Sequence, residues 1–361
     1  MTIMPDVKSE VLASVLICTR NRAAFLEETV QGVARQNFPD GRFEVVVVDN
    51  GSTDDTEAVV RGCQSNLTSL ELRYFLEREV GLSAARNRAV REARGSILCF
   101  LDDDAIPEPG WLEWLVRGFT TSGPRVMSVG GAIVPAYETE LPAWFHESLE
   151  LTFRPTLKSG GLHRVYYPDY PYGANFAIRA EAVRNVGLFD TSLGYKDKNL
   201  ITCEEAEFLL RLEKKGYGIM VESRAIVRHV IPADRLTRKY LLHRHFGNGR
   251  GYALLHRYHS YKERTLGHRV ARIAFLGVRG LLLCGLYCFY LLRNNNSMHP
   301  KAFLRHCGLA ERIGIISLEW QMECRELLAR KNVRLAGRGR RSSLDTSASK
   351  CKLPPVSKKA V

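Results

Sequence analysis

Two hydrophobic patterns alternate along the first 230 residues of the chain. Continuous apolar runs at residues 11–18, 43–49, 70–76, 97–101 and 126–134 have the length of strands covered on both faces. Between them, residues 22–36, 53–63, 83–93 and 110–119 read as helices. In the first of these, Phe25, Leu26, Val30 and Val33 share one side. Such alternation predicts a parallel, layered α/β sheet. Further on, the pattern predicts a short strand at 176–178 and helices at 180–186 and 204–215, the second stopped at Gly216. Two short strands follow, at 218–221 and 225–228. Residues 138–164 are irregular and aromatic and read as a loop region over a site.

The pattern changes after Pro232. Residues 236–255 read as a basic helix interrupted by Gly247, Gly249 and Gly251. Residues 273–292 are strongly apolar but contain Arg279, and the uninterrupted part is too short to span a bilayer. An interfacial or re-entrant helix is the preferred reading, ahead of a span with Arg279 snorkelling and of a buried core helix. A helix continues at 322–329, and Gly, Ser, Arg, Lys and Pro then dominate, which predicts a disordered tail. The expected divisions are therefore 1–232, 233–330 and 331–361.

Charge sharpens this picture. The net charge is +13, and residues 235–269 hold nine Lys/Arg against one Glu, residues 331–361 nine against one Asp. No RNA-binding aromatic motif or helix-turn-helix accompanies them, so nucleic acid is not the expected partner. A polybasic segment gains about 1 kcal/mol per charge near anionic lipid, which favours a membrane surface. The nine cysteines are scattered without a CxxC pair, and residues 1–10 lack a basic-then-apolar signal pattern. Both features fit a cytoplasmic protein, peripheral or monotopic at the membrane.

Candidate chemistry gathers where strands end. Residues 97–104, ILCFLDDD, run an apolar strand into three carboxylates. Their repulsion calls for a cation, and a hard divalent metal is the usual one. If the chain stays extended there, Asp102 and Asp104 point the same way. Residues 43–49 end similarly at Asp49, and ligands in open α/β sheets bind outside the carboxyl ends of strands. Arg86, at the start of a helix, suits a phosphate or is a surface arginine. Glu204, Glu205 and Glu207 form either an acidic first turn or acid–base machinery. His229 follows a strand. Asp54 is equally a helix cap or a ligand.

Residues 15–22 (VLICTRNR), 46–56 (VVVDNGSTDDT), 81–88 (GLSAARNR), 100–104 (FLDDD), 172–190 and 204–217, with His229, resemble the inverting family 2 glycosyltransferases of GT-A fold. The motifs stand in family order across about residues 12–230. The resemblance implies a GT-A, Rossmann-like sheet domain over 1–232 that binds a nucleotide sugar, and the basic and apolar residues that follow read as a helical, membrane-associating extension. It implies nucleotide contacts at Thr19, Asp49 and Arg86, and Mn²⁺ or Mg²⁺ held by Asp102, Asp104 and His229. Asp103, Gly173, Ala174 and Asn175 match donor- or acceptor-binding positions, and Glu205, with Glu204 beside it, stands at the catalytic base. The family often has Asp where this chain has Asn50, and usually Asp where it has Glu205. The implied reaction moves a sugar from a nucleotide-diphosphate sugar, a UDP-sugar favoured, to a lipid-linked or glycan acceptor in cell-surface or exopolysaccharide synthesis. A haloacid-dehalogenase-like phosphatase also places D-x-D after an apolar strand, but its downstream acidic Gly-Asp motif is missing. A non-catalytic glycan- or membrane-binding relative is the other alternative, against which Asp102, Asp104 and Glu205 speak.

Overall fold

A computed structural model describes residues 11–38, 42–155, 160–196, 200–260, 265–293 and 300–345. In chain order the elements are β1 (Ala13–Thr19), α1 (Ala23–Ala34), β2 (Phe43–Asp49), α2 (Thr56–Asn66), β3 (Leu72–Leu76), α3 (Leu82–Glu92), β4 (Ile97–Asp102), β5 (Ala105–Pro107), α4 (Trp111–Ser122), β6 (Val126–Tyr137), β7 (Leu162–Val165), β8 (Asn175–Arg179), α5 (Ala180–Val186), α6 (Glu204–Lys214), β9 (Gly218–Ile231), α7 (Arg238–Ser260), α8 (Leu266–Arg293) and α9 (Pro300–Asp345). Short 3-10 turns lie at Glu147–Thr152 and Ala233–Leu236.

The sheet runs in the order β3-β2-β1-β4-β8-β6-β9-β5, with β7 also on β9. β3, β2, β1 and β4 are parallel. β8 is antiparallel to β4 and β6, while β6 and β9 are parallel. The sheet is therefore mixed, because apolar periodicity carries no information on strand direction. Alternate residues of β1 face opposite ways: Val15 and Ile17 join a core beneath α1, α2 and α4, and Leu16 joins one beneath α3, α5 and α6.

Three expectations change. The two strands expected at 218–221 and 225–228 are one bulged strand, β9, because buried Glu222 is held by Arg224 at 2.7 Å across the polar interruption. The region 138–164 contains β7, whose four residues, LHRV, are too few and too polar to show a period. The glycines of 236–255 do not interrupt α7, which runs unbroken through Ser260. They mark close packing instead. A Cβ on Gly247, Gly249 or Gly251 would lie 2.1 Å from the Leu200 carbonyl, 2.0 Å from that of Glu311, or 2.6 Å from that of Thr202.

The C-terminal helices pack on the sheet domain. Leu236, Leu241, Phe303 and Cys307 share a core with Ile231, Leu149 and Phe153. The tail expected to be disordered continues α9 as far as Asp345, and residues 346–361 lie outside the described residues.

Candidate active site

A cavity of about 850 Å³ opens at the carboxyl ends of β1 and β4. One wall is the turn after β4. The chain does not stay extended there: β4 ends at Asp102 and a tight turn carries Asp103 and Asp104 into β5. β5 then pairs with β9 in the register Ala105↔His229, and the Val230 N–H bonds the Asp104 carbonyl at 2.8 Å. That register sets His229 Nε2 3.0 Å from Asp104 Oδ1. Ligand atoms of Asp102, Asp104 and His229 come within 4.8 Å of one another.

Protein cations already balance these carboxylates. Arg22 bridges Asp104 and, at 3.5 Å, Asp103. Arg235 meets Asp104 Oδ2 at 3.1 Å, and Arg86 lies 3.6 Å from Asp102. The case for a metal thus rests on the donor set rather than on unbalanced charge. Two carboxylates and an imidazole converge, the donors that suit Mn²⁺ or Mg²⁺, and His229 Nδ1 is buried without a hydrogen-bond partner among the described residues. Burial and the neighbouring Asp104 push the Asp103 carboxyl up to about 7, against Arg22. Burial opposes the charge on Asp104, but His229, Arg235 and Arg22 hold it well below the usual carboxylate range.

The opposite wall is the start of α6. Glu204 Oε1 accepts from Arg86 Nη1 at 2.6 Å. Glu204 is therefore the counter-ion of a buried arginine, not a free base. Glu205 Oε1 accepts from the Gly173 N–H at 3.3 Å, and its Oε2 is buried without a partner among the described residues. Burial first, and Glu204 second, push the Glu205 carboxyl up to about 8, with Arg86 opposing. Its pKa is thereby suited to accepting a proton near neutral pH. Cys203, just before α6, holds a left-handed backbone at φ 78°, uncommon for a residue with a side chain. Glu207 faces Arg211 at 2.8 Å and His259 at 3.3 Å, tying α6 to α7.

The other expected positions divide. Thr19, Arg86, Asp103, Gly173 and Ala174 line the cavity. Gly173 has no room for a side chain, since a Cβ would lie 2.4 Å from Arg86 Nη2. Arg86 is not an open phosphate site, because Glu204, Asp102 and the Gly173 carbonyl engage its guanidinium. Asp49 does not line the cavity. The Tyr74 hydroxyl bonds its Oδ2 at 2.8 Å and the Ser52 N–H its Oδ1 at 2.7 Å. Asn50, one residue on, lines the cavity instead, with its amide donating to the carbonyls of Glu77 and Glu79 and accepting from the Gly81 N–H. Asn175 does not reach the cavity either: it is fully buried, donates to the carbonyls of Ala132 and Ala225, and accepts from Trp111 Nε1. Asp54 accepts from the Ala23 N–H and from the Thr56 N–H and hydroxyl, so it acts as a cap.

Sequence reasoning missed Arg22, Arg235 and Arg244. Arg22 lies inside a motif, but its partner Asp104 is 82 positions away. Arg235 and Arg244 come from the helical region that charge assigned wholly to a membrane role, yet both line the cavity.

Residues 14–187 match the family described as Glycosyl transferase family 2. The chain is 26% identical over 241 residues to a glucosyl-dolichyl phosphate glucuronosyltransferase of Haloferax volcanii, covering 65% of this chain and 74% of the relative. It is 26% identical over 313 residues to a succinoglycan biosynthesis protein of Rhizobium meliloti, covering 84% and 92%. In fold it is similar to a mannosyltransferase from Pyrobaculum calidifontis in complex with GDP-Man and Mn²⁺. That match has a TM-score of 0.51 and 18% identity over 94% of this chain and 82% of the other. The phosphatase and non-catalytic readings are not favoured. Residues 14–187 therefore form a family 2 glycosyltransferase domain, and the mixed sheet that carries it is GT-A-like in fold.

Proposed function

We propose that the protein is an inverting glycosyltransferase that moves a sugar from a nucleoside diphosphate sugar to a hydroxyl of a lipid-linked or membrane-bound glycan. The observation that carries this reading is Glu205, a carboxyl shielded from solvent, with one oxygen unpartnered among the described residues, in the same cavity as Asp102, Asp104 and His229. Glu205 takes the proton of the acceptor hydroxyl. That oxygen forms a bond to the anomeric carbon as the bond from that carbon to the diphosphate breaks on the opposite face, and the configuration inverts. Arg86 and Gly173 hold Glu204 and Glu205 in place. Asp102, Asp104 and His229 would hold Mn²⁺ or Mg²⁺, which when bound supplies positive charge against the diphosphate.

The Asp49 carboxylate, expected at the nucleotide, is engaged by Tyr74 and Ser52 and does not select a base. Both UDP- and GDP-sugars therefore belong in a donor screen.

A membrane site is supported by α8. Its segment Gly267–Phe289 is long and apolar enough to cross a bilayer and is only 6% buried. The helix is inside out. Arg269 and Arg272 turn inward to Glu323 and Glu319 of α9 at 3.0 and 2.9 Å. Phe275, Val278, Leu281, Leu282 and Phe289 face outward. Water disfavours that arrangement and a lipid interface favours it. Charge divides the same way: residues 1–232 hold 26 Lys/Arg against 32 Asp/Glu, and residues 233–330 hold 17 against 6. We read this face as monotopic on the anionic, cytoplasmic leaflet.

Proton NMR of the sugar released from a panel of nucleotide sugars, with Mn²⁺ or with EDTA, tests the reaction. Metal-dependent release in the inverted anomeric form is expected, and a retained anomer contradicts the single displacement.

A further inference from the structure

Arg22, Arg86 and Arg235 each meet a carboxylate in the cavity. Arg244, from α7, lines the same cavity as Tyr172, Leu200 and Thr202 and meets no carboxylate among the described residues. Its Nε and Nη1 are shielded from solvent and have no hydrogen-bond partner among the described residues. Its guanidinium lies 4.8 Å from the centroid of the Tyr195 ring. Tyr195 is itself fixed, because its carbonyl accepts from the Leu82 N–H at 2.9 Å, at the start of α3. The plane of the guanidinium is thus set while its donors stay open.

Shielded guanidinium N–H groups without acceptors are costly, and a fold that holds them in a ligand cavity has left a place for an anion. We propose that Arg244 is a phosphate-binding residue, placed by α7 to take an oxygen of the donor's diphosphate. The chemistry favours phosphate because shielded guanidinium N–H groups without acceptors donate strongly to anionic oxygens. The location favours the donor because Arg244 lines the same cavity as Asp102, Asp104 and His229, the group that would hold a metal. Burial lowers the guanidinium to about 10, so it stays charged at neutral pH. α7 thereby becomes part of the catalytic machinery, and truncation after the sheet domain removes a substrate contact. The inference rests on the glycosyltransferase reading above.

The test uses full-length protein, Mn²⁺ and isothermal titration with UDP, GDP and the corresponding nucleosides. Arg244→Met is expected to weaken diphosphate binding roughly tenfold or more, the scale of one charge-assisted hydrogen bond, and to leave nucleoside binding unchanged. Arg244→Lys is expected to recover part of the loss. The ligand-free Arg244→Met protein should melt at the same or a higher temperature, since a buried unpaired charge has been removed. Equal diphosphate affinity in wild type and Arg244→Met overturns the proposal, as does a lower ligand-free melting temperature with unchanged affinity. Unchanged diphosphate affinity with weakened binding of a short-chain prenyl phosphate overturns it in favour of an acceptor phosphate. If the wild type binds neither diphosphate, the proposed nucleoside diphosphate sugar donor falls and this inference with it.

Discussion

Arg86 Nη1 stands 2.6 Å from Glu204 Oε1, and both side chains are buried. This pair sets the charge that the adjacent Glu205 experiences. Glu204 raises the Glu205 carboxyl and Arg86 lowers it, with burial the largest influence. Activity should therefore rise with pH to a plateau above about 8, as Glu205 loses its proton. Glu204→Gln removes the raising charge and leaves Arg86 to lower it further. The rising limb of kcat/KM should move to lower pH, by about one unit, each unit being worth 1.36 kcal/mol. A pH–rate profile checks this, and an unmoved or alkaline-shifted limb contradicts it.

Glu205 also sets a pH-dependent stability. Burial pushes its carboxyl up to about 8 from the 4.5 of a free glutamate, so the folded state holds the proton more tightly than the unfolded chain. Stability from this group falls as pH rises from about 4.5 through about 8. Glu205→Gln lacks this loss. Its melting temperature should exceed that of wild type at pH 8 and approach it near pH 5, as read by scanning calorimetry. A difference independent of pH contradicts the assignment.

Asn175 stood among the ligand-binding candidates, and its position within a matching motif gave no hint otherwise. Its amide instead links β8 to the carbonyls of Ala132 and Ala225 and to the Trp111 indole. Asn175→Ala would strand buried polar partners, at about 1–3 kcal/mol each. Chemical denaturation should show that loss, while donor affinity per folded molecule stays near wild type.

The first half of the fold was legible because parallel, doubly covered strands carry continuous apolar runs: the runs at 43–49 and 97–101 correspond to β2 (Phe43–Asp49) and β4 (Ile97–Asp102). β5 and β7 were not legible, since three or four residues show no period. The carboxylates of the site were legible because several stand at strand ends. Their cationic partners were not, because Arg22 and Arg235 reach Asp104 through tertiary contact alone. Asp49 and Asn50 part for a simpler reason, since only Asn50 lines the cavity. Adjacent residues at a strand end face opposite ways, and one position decides which faces the cavity.

The glycines of α7 give a separate test of how the helical region is attached. A Cβ at residue 249 would lie 2.0 Å from the Glu311 carbonyl, a backbone atom that cannot give way. Gly249→Ala should separate α7 from α9, lower the melting temperature and disturb the cavity edge at Arg244. Circular dichroism melting and donor titration should both register the change.

Membrane attachment should have two parts. Co-sedimentation with anionic vesicles is expected at low salt. Raising salt to 1 M, where the screening length is about 3 Å, should weaken binding without abolishing it. Phe275→Ser with Leu282→Ser on α8 should remove the salt-resistant part. Protein that stays in the supernatant with anionic vesicles at low salt contradicts the lipid-facing reading of α8.

The central claim is that Glu205 takes the proton in a displacement at a nucleotide sugar. Its most direct test is release of nucleoside diphosphate by wild type and Glu205→Gln, with donor affinity measured on the same preparations in Mn²⁺. The account predicts unchanged donor affinity and release lowered about a hundredfold or more in Glu205→Gln, within the range for loss of a general base. Release by Glu205→Gln at the wild-type rate, with donor bound equally well, would contradict it.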